Sequence, residues 1–292
     1  MPSTQKSVSK SRIPAWPLAL FGVVVAFAIG LRVYEVFNPT DPRVQVPSAT
    51  YMEVMQQLEE ERLAQEAANA AAAAQADNAP VEVPDEPVVD EPIEAEPVIP
   101  KELPTEFNLA VPFTSQAPNG VWDVIHEDTC EEASWLMVRE YYAGNTVATL
   151  DPAKADPELI AMVDSQTAQG LEMSVTASEL VTWMEGYDDV DARIIENPTI
   201  EQMKRLLVEE GKPIIVPMAG RELGNPYFSG EGPVYHMLVI RGYTANGFIT
   251  NEPGTRMGEN YFYSYDVVMN AMGDWEGKDP ANGAKRIIVV EP

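Results

Sequence analysis

One thiol and two imidazoles, Cys130, His126 and His236, are all the cysteine and histidine in this 292-residue sequence, which keeps the list of Cys–His pairs short. A lone cysteine closes no internal disulfide and builds no multi-cysteine metal cluster, so the fold rests on its own packed core. Basic side chains are also scarce. Nineteen Lys and Arg against 46 Asp and Glu leave a net charge of −27. That charge repels nucleic-acid phosphates and anionic headgroups, and no basic run interleaved with aromatics makes a local exception. Nucleic acid is thereby excluded as a partner. The phosphate-cradling pattern GxxxxGK[ST] occurs nowhere, which excludes an ATP-driven role of that type.

What is present falls into blocks. Residues 1–12 are polar, with Lys6, Lys10 and Arg12 and no acid, and residues 13–31 carry no charge. At 1.5 Å per residue such a stretch covers roughly 28 Å, close to the hydrocarbon thickness of a bilayer. Residues 13–37 therefore read as a transmembrane signal-anchor with residues 1–12 cytoplasmic and the rest extracytoplasmic at the cell membrane. The rival is a signal peptide cleaved after Ala26-Phe27-Ala28, which exports the same remainder. Residues 48–77 contain strong helix formers without Gly or Pro and predict a solvated stalk helix. Tyr51, Met55 and Leu58 on it mark only a weak seam for dimerisation, broken at Leu63. Residues 78–106 alternate Pro and Val with nine acids and one Lys, the pattern of an extended, self-repelling, disordered linker.

Residues 107–292 hold the mixed apolar patterning of a single core. Periodicity predicts a strand at 109–113 and helices at 130–142, 157–168, 177–187 and 200–210. Strands follow at 214–218, 234–243, 247–251 and 287–290, with a helix at 265–272. Helices first and strands last give α+β, not a doubly wound sheet. Asp188, Asp189 and Asp191 lack the spacing of a calcium loop and read as a solvated turn.

Cys130 lies in Asp128-Thr129-Cys130-Glu131-Glu132, where Thr129 followed by Glu132 three residues later predicts a capping box with Cys130 as the first helical residue. Unpaired amides and the positive end of a helix dipole favour the attacking thiolate there, while Glu131 and Glu132 oppose it. Treating His126 as the start of a metal motif ending at Cys130 conflicts with that cap, and no metal or organic cofactor is implied. His236 sits in a β-branched apolar run, Tyr235 to Tyr243, where a polar ring needs a partner. The turn at Ala245-Asn246-Gly247 predicts that the next strand pairs antiparallel with this one, bringing Asn251 and Glu252 beside the imidazole. Alternation allows only one of those two to reach it. Gln116, fourteen residues before the cysteine, supplies an amide suited to an oxyanion hole, with the Cys130 backbone N–H as its companion. Trp122, Tyr227, Phe228, Tyr235 and Trp275 are candidate groove-lining aromatics.

The four segments VPFTSQAP, DTCEEASWLMVREYY, YHMLVIRGY and ITNEPG together resemble the papain-fold cysteine peptidases related to the bacteriocin-processing, double-glycine-leader peptidases. The resemblance covers most of residues 107–292. It implies a papain-like fold with a helical part and an antiparallel sheet, a thiol nucleophile at Cys130, a general base at His236 and an oxyanion donor at Gln116. The family usually has Asp before Pro as third member. Here Glu252 takes that position, and motif position favours it over Asn251. Cell-wall endopeptidases and transglutaminase-like proteins share the chemistry but fit the motifs less well. The expectation is a membrane-anchored extracytoplasmic thiol hydrolase acting on peptide or isopeptide bonds of a peptide or protein substrate, with cationic substrates preferred on charge grounds. The alternative is a catalytically inactive module of the same fold that binds peptides or surface polymers.

Overall fold

The computed structural model describes residues 41–77 and 102–291. The candidate anchor at 13–37 and residues 78–101 of the acidic segment lie outside them. Among the described residues no helix is long and apolar enough to cross a membrane.

The elements in chain order are α1 (Tyr51–Asp77), β1 (Phe107–Asn108), α2 (Cys130–Tyr142), α3 (Pro152–Ala168) and α4 (Ala177–Asp188), then β2 (Asp191–Glu196), α5 (Ile200–Glu209) and β3 (Ile214–Ala219). They end with β4 (Tyr235–Tyr243), β5 (Gly247–Asn251), β6 (Tyr261–Ser264), α6 (Tyr265–Ala271) and β7 (Arg286–Glu291). The fold is α+β. Its sheet runs β2-β7-β3-β4-β5-β6 with β1 also on β4, and every recorded strand pair is antiparallel. Every residue of β3, β4 and β5 is buried, so both faces of the sheet centre are covered and period-2 alternation is lost from their sequences.

Several sequence expectations need correction. The predicted strand at 109–113 is a two-residue strand at Phe107–Asn108 followed by isolated bridges from Leu109 to Ala49 and from Phe113 to Thr149. The α3 helix begins five residues before Pro157, because Asp151 caps it and Pro152 occupies its first turn, where a missing N–H costs nothing. Strands β2 and β6 were not anticipated. In β2 Ala192, Ile194 and Ile195 are only partly buried against the core, and Asp191 opens the strand instead of belonging to a turn. Asp188 accepts from Trp135 Nε1 at 2.6 Å and so is structural.

The start of the predicted solvated helix is docked. Val44 N donates to Asn260 O at 2.9 Å, Ala49 N to Asn108 O at 2.9 Å, and Ala110 N to Ala49 O at 2.7 Å. The helix α1 then starts with a capping box between Thr50 and Glu53. Val54 is buried, and the Tyr51 ring meets Tyr141 and Tyr142 edge-on at 5.5 and 5.3 Å. Residues 59–71 of the helix are exposed and bear local pairs such as Arg62 with Glu59 and Gln65 with Asn69. At the other end of the acidic segment, Pro104 O accepts from Tyr243 Oη at 2.9 Å.

Candidate active site

Strand β4 is longer than its neighbour β5. Pairing between them stops at Val239 and Asn251, after which the chain turns away through Glu252, Pro253 and Gly254. His236 lies in the part of β4 that β5 does not reach, paired on its other side with Met218 of β3. The divergence opens a gap beside His236, and the N-terminus of α2 fills it. Cys130 is the first residue of that helix, as expected. The expected cap differs. Thr129 has φ −95° and ψ 31° with no side-chain cap, and its hydroxyl donates instead to Gln116 O at 2.9 Å. Thr176 and Thr199, which do cap their helices, have the extended backbone of an N-cap, with ψ 161° and 157°, and Thr129 does not, so its hydroxyl is not aimed at the helix amides. Glu132 is consequently not drawn back to the cap; it is buried, with Oε2 unpartnered.

His236 Nε2 contacts Glu252 Oε1 at 2.5 Å, with both side chains buried. Glu252 is held from three sides. Besides the imidazole, Gly254 N donates to Oε1 at 2.8 Å and Tyr263 Oη donates to Oε2 at 3.0 Å. Tyr263 in turn accepts from Asn225 Nδ2 at 2.8 Å. Burial, then the charge of Glu252, pushes the Tyr263 hydroxyl well up, so it stays a donor. Gly254 is required by close approach, since a Cβ there would stand 2.7 Å from Phe228 and 3.0 Å from both Glu252 Oε1 and His236 Cε1. Tyr263 was missed at the sequence level because β6 was missed, and Asn225 with it as Tyr263's partner; four residues reading YFYS that run straight into α6 carry too short a pattern to register as a strand.

Asn251 faces elsewhere. Its Oδ1 accepts from Arg241 Nη1 at 3.0 Å and its amide donates to the carbonyls of Val111 and Pro112 at 3.1 Å. It secures a buried cation whose guanidinium also donates to Asn108 Oδ1 and Leu109 O, and whose pKa burial lowers to about 10. Of the two residues that alternation left open, Glu252 is the one in contact with His236.

Gln116 Nε2 donates to His126 O at 2.9 Å and Glu127 O at 3.0 Å, and its Oε1 is buried without a partner. Both amide hydrogens are thus engaged in pinning the loop before Cys130. Its backbone N donates to Pro253 O, which ties that loop to the Glu252 turn. His126 completes the clamp, with Nδ1 2.8 Å from Asp123 and Nε2 3.0 Å from Asp156 on α3. The Cys130 amide, at the first helical position, has no intrahelical acceptor.

The Cys130 thiol is buried. Its side-chain partner is Glu131, with Sγ 2.9 Å from Oε2, and the Met237 amide, one residue past His236, also points at the sulfur. Burial first, then the charge of Glu131, pushes the thiol well above its ordinary range, while the Met237 amide opposes them. Adjoining Cys130 and His236, neither of which lines it, is a cleft of about 1010 Å³ bordered by Gln116, Trp122, Glu127, Asp128, Tyr227, Phe228, Tyr235, Arg256 and Trp275, among others. All five candidate aromatics line it. Trp122 is 41% exposed at its rim. Among the described residues no cluster of three or more His, Cys, Asp and Glu could hold a metal ion.

No curated protein matches this sequence. A crystal structure described as a C39-like peptidase from Bacillus anthracis is 16% identical, covers 64% of this chain and 98% of its own, and superposes with a TM-score of 0.42. The sequence model of the Peptidase_C39 like family matches residues 108–279, a span that takes in Gln116, Cys130, His236 and Glu252. By that match over more than half its length, the chain belongs to the Peptidase_C39 like family.

Proposed function

We propose that this protein is a membrane-anchored, extracytoplasmic cysteine hydrolase that cleaves peptide or isopeptide bonds. The observation that carries the reading is the buried contact of His236 Nε2 with Glu252 Oε1, which leaves Nδ1 as the ring nitrogen for the thiol. That is the division of labour a nucleophile's base needs, with one nitrogen oriented by an acceptor and the other free to take a proton. In the reaction, Cys130 Sγ attacks the carbonyl carbon and its proton passes to His236 Nδ1. The imidazolium, steadied by Glu252, returns that proton to the leaving amine. The oxyanion meets the Cys130 amide at the positive end of α2. Gln116 joins it only by giving up a loop carbonyl. The aromatic cleft lined by Trp122 and Tyr227 receives the substrate. The charge-free run at 13–31 behind Lys6, Lys10 and Arg12 supports the anchor.

One observation favours the second reading, a non-catalytic peptide-binding module: the thiol is bonded to Glu131 and held protonated. Incubating the full chain with a mixed peptide library between pH 4 and 8 separates the two. The hydrolase yields new peptide ends by mass spectrometry that Cys130→Ala and His236→Ala each abolish. No cleavage at any pH, with peptides retained equally by the wild type and Cys130→Ala, refutes the enzyme and supports the module.

A further inference from the structure

Glu131 follows the nucleophile directly and is 1% exposed. Burying a carboxylate is costly, and the fold does not need its charge. Its Oε1 accepts the Val175 amide at 3.3 Å, a bond that a glutamine oxygen would make equally well. Its Oε2 accepts from Cys130 Sγ at 2.9 Å. That second bond does depend on charge, because a carboxylate is acceptor-only and keeps the sulfur as the donor. The other titratable groups facing the pair are acids as well. Glu132 from the same helical turn opposes a thiolate, Asp128 from the loop before it pushes the Glu131 carboxyl up, and Tyr235 from β4 is a phenol that burial keeps neutral. Val175 and Met237 contribute only amides.

We propose that Glu131 is a positioning residue that holds the Cys130 thiol protonated and out of hydrogen-bonding contact with His236, so that the site rests until this carboxylate is neutralised. The inference builds on the Cys130–His236 hydrolase reading. At rest the proton lies on Sγ and the charge on Glu131. On acidification a solvent proton adds to Oε2 and the S–H···O bond is lost. The thiol proton then passes to His236 Nδ1, giving a thiolate and an imidazolium; only S–H, O–H and N–H bonds change. Burial pushes the Glu131 carboxyl up to about 7, which brings its neutralisation within mildly acidic pH.

The test is the pH profile of iodoacetamide alkylation of the full chain, whose single cysteine makes labelling unambiguous. Glu131→Gln removes an adjacent like charge. It is expected to shift the alkylation midpoint down by roughly one to three units, and to speed labelling at pH 8.5, where the wild-type carboxylate is charged, by about tenfold or more. An unchanged or higher midpoint in Glu131→Gln overturns the lock while leaving the hydrolase reading intact. The double variant with His236→Ala is expected to move the midpoint back up. If His236→Ala alters neither the wild-type nor the Glu131→Gln profile, the Cys–His reading fails and the lock with it. Infrared spectroscopy of the wild type removes any dependence on variant folding. The sole S–H stretching band should be present at pH 8.5 and displaced to low frequency by the carboxylate, whereas an absent or undisplaced band refutes the lock.

Discussion

Replacing Glu252 by Gln keeps shape and volume and removes one charge, so its consequences follow from counting donors. Three converge on the carboxylate: the imidazole Nε2 at 2.5 Å and the Gly254 amide at 2.8 Å on Oε1, and the Tyr263 hydroxyl at 3.0 Å on Oε2. An amide has one oxygen. If that oxygen takes the Oε1 place, the imidazole and Gly254 keep their acceptor and the NH₂ faces Tyr263. The tyrosine oxygen already accepts from Asn225 and can accept again, but its proton is stranded in a buried place. The opposite rotamer sets NH₂ against two donors and is worse. The stability cost is then that of one unsatisfied buried hydroxyl, about 1–3 kcal/mol. The rate cost is larger, because an imidazolium forming in the reaction loses a counter-charge in hydrogen-bond contact. A drop of about 10² to 10⁴ in kcat/KM on the best library peptide is expected. Asn251→Ala is the control. It leaves Arg241 Nη1 and the carbonyls of Val111 and Pro112 without this partner, so it should destabilise the fold by about 1–3 kcal/mol for each buried group left unsatisfied, while the folded fraction keeps near-wild-type turnover. Glu252→Gln within about threefold of wild type, with Asn251→Ala inactive though folded, would refute the assignment of His236's partner.

Two further outcomes are expected. Glu127 and Asp128 line the cleft of a strongly negative chain, so Lys- and Arg-rich peptides should be cleaved faster than Asp- and Glu-rich ones, by a margin that shrinks with added salt. Equal rates at every salt concentration would remove charge from the specificity. Gly211 has φ +64° and an added Cβ would stand 2.7 Å from Val54 Cγ1. Gly211→Ala should therefore lose about 1–2 kcal/mol from its left-handed backbone and about 1–3 kcal/mol more from crowding. Val54→Ala should relieve the crowding part alone, and strict additivity in urea denaturation would show that the start of α1 is not docked in solution.

The chemistry was legible in the sequence because so few residues can perform it. One thiol at a helix start, and one histidine in an apolar strand ahead of a tight turn, leave little choice of partners. The helices Cys130–Tyr142 and Ala177–Asp188, and the strands through Ile214, His236 and Phe248, were readable from periodicity and apolar runs, since local pattern and burial agree there. Local pattern misled where a distant group competed. Thr129 and Glu132 satisfy the capping-box rule in sequence, yet Thr129 lacks the extended backbone of a cap and its hydroxyl donates to the Gln116 carbonyl. The start of α1 reads as solvated, yet Tyr51 and Val54 meet surfaces presented by Tyr141, Tyr142 and Gly211, all far along the chain. Adjacent Asn251 and Glu252 look interchangeable until β4 and β5 diverge and send one to Arg241 and the other to His236. Composition and spacing thus determined which side chains are available for catalysis. The tertiary structure alone decided which of them touch, because contact between residues remote in the chain depends on how β4 outruns β5 and on what the end of α2 meets there, including the Glu131 carboxylate that takes the thiol first.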